Sequence, residues 1–211
     1  MMLVGLLALA GGALLCIDMA SGPAGSVPST ITRGMFDSMV GDRNLSECEG
    51  GAFYTYDAFL EAANASVLGG FGTTGEDATR RRELAGFFGQ TSFVTTTRTT
   101  TGKQGAREGA GLDLLRNPDL VSTNPVVAFK TAIWFWMTAP PAPSPSCHAV
   151  MTGGWTPSAQ DRDAGLLPGY GMTTYILNGR TECNQTSETA QDRVNMFKYI
   201  ACLLSSVHIF G

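Results

Sequence analysis

The segment NPVVAFKTAIWFWM, from Asn124 to Met137, carries one charged residue, Lys130, and apolar side chains around nearly the whole of a helical projection. Asn124 offers a side-chain oxygen to the free amides of a first turn, and Pro125 fits the first helical position, where no amide is required. A helix apolar nearly all round belongs in the middle of a core, and Lys130 there needs a carboxylate partner. The rest of the chain must therefore wrap it, and a length of 211 residues with 44% hydrophobic composition suits one compact domain.

The wrapping elements read as helices. Ile31, Met35 and Met39 stand one turn apart, with Ser29 or Thr30 as the cap, and predict a first helix that stops at Gly41. YDAFLEAANA (56–65) and TRRRELAGFF (79–88) predict two more, joined by a glycine-rich turn over 69–75. Beyond the stiff connector of Pro140, Pro141, Pro143 and Pro145, Ser158 caps a short helix, and Pro168-Gly169 precedes another that ends at Asn178-Gly179. Val194, Phe197, Ala201 and Leu204 mark the apolar stripe of a last helix over 188–204. Strands are scarce, and the predicted fold is mostly α.

A net charge of −4 gives no electrostatic footprint for nucleic acid or an anionic membrane. The one basic run, Arg80-Arg81-Arg82, leads straight into Glu83 and reads as a solvated helix face. Residues 2–16 are apolar and small-sided and are followed by Ala20-Ser21-Gly22; this predicts a cleaved secretory signal over 1–22 and a mature protein outside the membrane, extracellular or vacuolar. Secretion permits disulfides among Cys48, Cys147, Cys183 and Cys202, in any of three pairings. The triplets beginning at Asn44, Asn64 and Asn184 are potential glycan acceptors. His148 and His208 lie far apart with no ligand-like partner nearby, so no metal or other cofactor is expected.

One region resists this reading. TSFVTTTRTTT (91–101) is β-branched and of low complexity, and 102–111 carries four glycines and no core residue; together they read as loop.

The strings MFDSMVGDRN, FYTYDAFLEAA, GFGTTG, RRELAGFFGQTS, LDLLRNPDLVSTNPVVAFKTAIWFWM, SCHAV, RDAGLLPGYG, YILNGRTEC and QDRVNMFKYIACLL occur in this order. They resemble the plant chitinases of glycoside hydrolase family nineteen along nearly all of 29–211 outside 93–110. The resemblance implies a mostly α, α+β lysozyme-like domain with a cleft, without a hevein-type module. It also implies endo-hydrolysis of β-1,4-linked N-acetylglucosamine polymers with inversion, in a cell-wall or defence role. Chitin or chito-oligosaccharide is the implied partner, and a monomer the expected state.

Inversion needs a protonated carboxyl to donate to the leaving oxygen and a carboxylate to activate water on the opposite face, roughly 6.5–9.5 Å apart. In the family the acid is the Glu of a His-Glu-Thr-Thr-Gly-Gly motif directly after the string matched by FFGQTS; here those two positions hold Phe93 and Val94. The base lies farther on, in a segment of roughly sixty residues, judged from ordinary domain size, that has no counterpart here. The domain is thus expected to be truncated in its central lobe, with 93–110 as an anomalous junction. Glu108 and Asp113 are the nearest substitutes, but Glu108 lies in a glycine-rich segment with nothing to fix its geometry.

By resemblance, Asn178, Glu182, Arg193 and Lys130 belong to the substrate cleft, with the Glu-Arg pair tuning the acid; on residue types alone, that pair is a structural salt bridge. The family's partner for Cys48 falls in the missing segment and that for Cys183 beyond Gly211, which leaves a Cys147–Cys202 bond. Trp155 and Tyr170 are candidate stacking residues, whereas Trp134 and Trp136 read as core.

Three outcomes fit these residues: a non-catalytic chito-oligosaccharide or cell-wall binding protein, an active endochitinase whose coding sequence is altered between Ser92 and Gly111 by a skipped exon or frame shift, or a product that folds poorly because a lost lobe exposes apolar surface.

Overall fold

The computed structural model describes residues 25–40, 53–65, 69–96, 114, 116–139, 144–183 and 188–205, with the side chains of 92–96 excepted. Ten helices and no strand occur among them: α1 Val27–Thr30, α2 Arg33–Met39, α3 Tyr56–Ala63, α4 Asp77–Thr96, α5 Leu120–Thr123, α6 Pro125–Met137, α7 Cys147–Thr152, α8 Ala159–Asp163, α9 Tyr170–Glu182 and α10 Glu188–Ser205. The mostly helical expectation holds. The expected signal segment, Cys48, the prolines at 140, 141 and 143, and Glu108, Asp113, Asn44, Asn184 and His208 fall outside the described residues.

Capping chemistry sets several of the boundaries. Asn124 Oδ1 accepts from the amides of Val126 (3.0 Å) and Val127 (3.2 Å) and starts α6 as the sequence predicts. Ser158 and Asp161 form a reciprocal capping box on α8. The first predicted helix is instead two: Ile31 is extended (φ −122°, ψ 116°), and Thr32, not Ser29 or Thr30, caps α2 through the Met35 amide. The apolar stripe survives the break, because Ile31, Met35 and Met39 are all buried.

The longest unbroken buried stretch among the described residues lies in α4 rather than α6. Every residue from Glu83 to Gln90 is buried, with α10, α7, α9 and α1 packed around it. Helix α6 leaves Phe135 exposed and Trp134 half-buried, while Trp136 is fully enclosed. An aromatic cluster joins α2, α3, α4 and α6, with ring centroids 5.0 Å apart for Phe59–Phe88 and 5.5 Å for Phe59–Phe129. Such contacts add to the burial of apolar area that holds the domain together.

Helix α4 runs to Thr96, so 91–96 is helical and not loop. Extending an established helix adds one hydrogen bond per residue fixed, and β-branched residues reduce that gain by only a few tenths of a kcal/mol each. The arginine run is likewise more than a solvated face. Arg81 bonds Asp77 on its own helix and the Leu204 carbonyl at the end of α10, and Arg82 Nε donates to the Met151 carbonyl of α7 at 2.9 Å. These contacts tie α4 to the carboxyl ends of two neighbours, where the helix dipole favours a cation.

Candidate functional site

Helices α4, α9 and α10 meet at one buried polar network. Helix α9 does not stop at Asn178-Gly179 as predicted; it continues to Glu182, with Asn178 itself outside helical geometry (φ −151°, ψ 26°). Across that kink the Asn178 amide donates to Glu182 Oε1. Arg193, from the first turns of α10, grips both carboxylate oxygens: Nε donates to Oε2 at 2.8 Å and Nη2 to Oε1 at 2.9 Å. This is the parallel, two-bond pairing that a guanidinium makes best.

The third Arg193 nitrogen reaches α4. Nη1 donates to Gln90 Oε1 at 2.9 Å and to the Gln90 carbonyl at 3.1 Å. Gln90 Nε2 in turn donates to Thr173 Oγ1 (3.0 Å) and Thr174 Oγ1 (2.8 Å) on α9. Glu182 is 5% exposed, Arg193 4% and Gln90 1%, so the ion pair is enclosed. Asn178, half-buried, is the member of this network nearest solvent, and its bond to Glu182 orients the amide so that Oδ1 remains able to accept.

Gln90 was not singled out by the sequence; it lies two residues beyond the helix predicted over 79–88. Its signal was a polar residue at the close of a run otherwise without charge from Leu84 onward, which requires partners once buried. Position 94 follows Gln90 by one helical turn on α4. Lys130 is half-buried on α6, and no described carboxylate pairs with it; it does not join the network.

A second polar cluster is structural. Glu83, with no exposed surface, accepts from the Gly72 amide (3.0 Å) and Trp136 Nε1 (3.1 Å), and its Oε1 lies 2.6 Å from His148 Nδ1. His148, for which the sequence offered no partner, thus pairs with a buried carboxylate.

Two aromatic and cysteine expectations are corrected. Tyr170 is buried, stacked on Phe197 at 4.3 Å and 8°, and donates to the Arg193 carbonyl at 3.0 Å, so its ring is packed against α10 and not offered as an exposed stacking face. Burial also pushes its phenol well above the ordinary tyrosine range. Trp155 is half-buried. Cys147 and Cys202 are not joined in a disulfide: the first is enclosed in the core and the second faces solvent from α10. Cys183 is also free and half-buried, its thiol pushed up by burial and then by the Glu182 charge.

Two hollows of about 210 and 470 Å³ lie around Arg82 and Phe197, between α4, α7 and α10; Asn178 lines neither.

The sequence matches the family model described as "Chitinase class I", of glycoside hydrolase family 19, in two stretches, 30–110 and 102–209. Chitinase 11 of Oryza sativa subsp. japonica is 48% identical over 232 residues, an alignment that takes in 92% of this chain and 89% of that protein. The basic endochitinase of Vitis vinifera is 41% identical over 224 residues, with 82% and 70% covered. Among solved structures, chitinase C from Streptomyces griseus superposes with a TM-score of 0.64 at 25% identity over 83% of this chain and 76% of that one. The class IV chitinase of Zea mays shares the fold, with a TM-score of 0.64 at 24% identity over 83% and 92%.

Proposed function

The chain belongs to the class I chitinases of glycoside hydrolase family 19, and from that premise we propose that it binds chito-oligosaccharide without appreciable hydrolysis. One observation carries the reading: directly after FFGQTS, where the resemblance puts the family's proton donor, the chain has Val94. An isopropyl group has no proton to give to the leaving oxygen, and proton transfer from a positioned acid contributes about two to four decades of rate.

Two further observations support a missing base segment. The family model engages the chain in two stretches that meet over 102–110. The alignment to the rice protein extends over 232 residues, more than the whole chain of 211. What remains for binding is the wall of Asn178, backed by Glu182, Arg193 and Gln90. A preorganised amide on a rigid, fully paired network makes hydrogen bonds to an acetamido-sugar at little ordering cost. Secretion to the cell wall or vacuole, in a defence role, completes the proposal.

Calorimetric titration of the chain with chitotetraose tests it. Saturable binding with no shorter product afterwards is the expected result; absent binding, or cleavage of the tetramer, contradicts it.

The split of the family match into two stretches that overlap over 102–110 also favours a second reading, an active endochitinase whose transcript carries the acid motif and the central lobe. Sequencing the transcript across Ser92 to Gly111 separates the two: an uninterrupted message encoding Val94 removes the second.

A further inference from the structure

We infer that Tyr175 is a sugar-stacking residue that extends the Asn178 wall by one pyranose ring. This rests on the reading that the protein binds chito-oligosaccharide, and it names the aromatic that such binding uses.

Tyr175 is 41% exposed in the middle of α9, an unusual place for a large ring in a helix whose neighbouring positions, Thr173 and Thr174, are buried. It stands one residue after Thr174, which holds Gln90, and three before Asn178. It is therefore within roughly one helical turn of half-buried Asn178.

Its ring is held rather than free. A Cβ placed on Gly179 would lie 2.9 Å from Tyr175 Cδ2, 3.2 Å from Cγ and 3.4 Å from Cε2, so the ring packs directly on the glycine backbone. The non-helical turn at Asn178 immediately precedes that glycine. Only a residue without a side chain lets the aromatic plane settle there; any Cβ would have to push it away. Part of the ring is thus fixed on backbone while a large share stays open to solvent beside an oriented amide.

Those are complementary halves of one recognition problem. An N-acetylglucosamine ring presents axial C–H groups on its faces and hydroxyl and acetamido groups on its edge. The faces pack on an aromatic plane, and the edge hydrogen-bonds to an amide such as Asn178. Tyrosine suits the first task because it offers a rigid amphipathic surface with only two side-chain torsions to fix.

The other exposed large hydrophobics do not meet both conditions. Tyr199 is turned toward α2, with its hydroxyl 3.4 Å from the Ser38 carbonyl. Phe135 lies on α6, and Leu167 precedes the start of α9. Tyr170, the tyrosine that sequence alone favours, is committed to the core.

The test is calorimetric titration of the full 211-residue chain with chitotetraose, comparing wild type with Tyr175→Ala, Tyr175→Phe, Tyr175→Leu and Tyr199→Ala. Y175A should weaken binding about three- to tenfold, Y175F about twofold at most, and Y199A not at all, with melting temperatures unchanged. Y175L keeps bulk without a ring and should bind like Y175A; it decides the matter if Y175A does not fold. Wild-type affinity in both Y175A and Y175L overturns this inference and leaves carbohydrate binding intact. No binding by the wild type overturns both.

Discussion

Gln90 and Arg193, 103 residues apart in sequence, meet through a single guanidinium nitrogen that donates to both the side chain and the backbone carbonyl of the glutamine. With its other two nitrogens on Glu182, Arg193 locks α4, α9 and α10 at one point. The arrangement holds the three helices together through one buried guanidinium. The Glu-Arg pair is anchored by Gln90, which is held in turn by two threonines of α9.

Truncating Arg193 should be costly. Arg193→Ala leaves the Glu182 carboxylate buried without its charge partner, and a loss of about 3–5 kcal/mol in unfolding free energy is expected. Gln90→Ala removes neutral partners only and should cost about 1–3 kcal/mol. Urea unfolding followed by circular dichroism measures both, and the ranking R193A above Q90A is the discriminating outcome.

Trp136→Phe tests the second network. The ring fits the same space, but Glu83 loses the Nε1 donor at 3.1 Å. A buried carboxylate deprived of one of its three donors should lower stability by about 1–3 kcal/mol, seen as a lower denaturation midpoint at an unchanged slope.

The close approach of α4 to α9 and α10 predicts a steric effect at Gly89. A Cβ there would lie 2.9 Å from the Tyr170 hydroxyl and 3.1 Å from Phe197 Cα. Gly89→Ala should destabilise by about 1–3 kcal/mol despite the better helix propensity of alanine. Differential scanning calorimetry will register it as a lower melting temperature.

Thiol reactivity should follow burial. Desolvation raises the Cys147 thiol far above the ordinary range and also raises Cys183, and the thiolate is the reactive form. Iodoacetamide should label exposed Cys202 first, Cys183 more slowly and Cys147 only on unfolding, as read by peptide mass spectrometry. The sign for stability follows by linkage: the folded state retains the Cys147 proton above pH ~8.5, where the unfolded chain releases it, so stability falls as pH rises from there. Cys147→Ala should reduce that alkaline slope.

Local chemistry was legible where it was strong. Asn124-Pro125, Ser158 and the 188–204 stripe predicted real boundaries, because capping groups and apolar spacing act within a few residues. What escaped was tertiary. The middle of α4, Glu83 to Gln90, and not α6, is the stretch buried at every residue, since enclosure depends on which neighbours pack and not on composition. Glu83 looked like a surface charge after three arginines, yet its partners Gly72, Trp136 and His148 lie 11, 53 and 65 residues away. The same distance hid Gln90 from Arg193. Asn178, Glu182 and Arg193 were brought together, Lys130 was not, and Tyr170 is buried where the sequence reads a stacking residue.

The most direct test is incubation of the purified chain with chitohexaose and chromatography of the products by size and anomeric form. The hexamer should remain intact for as long as in buffer, because Val94 offers no proton to the leaving oxygen. Accumulation of shorter oligomers, with inversion at the new reducing ends, would contradict the central claim and require another carboxyl of this chain to act as the acid.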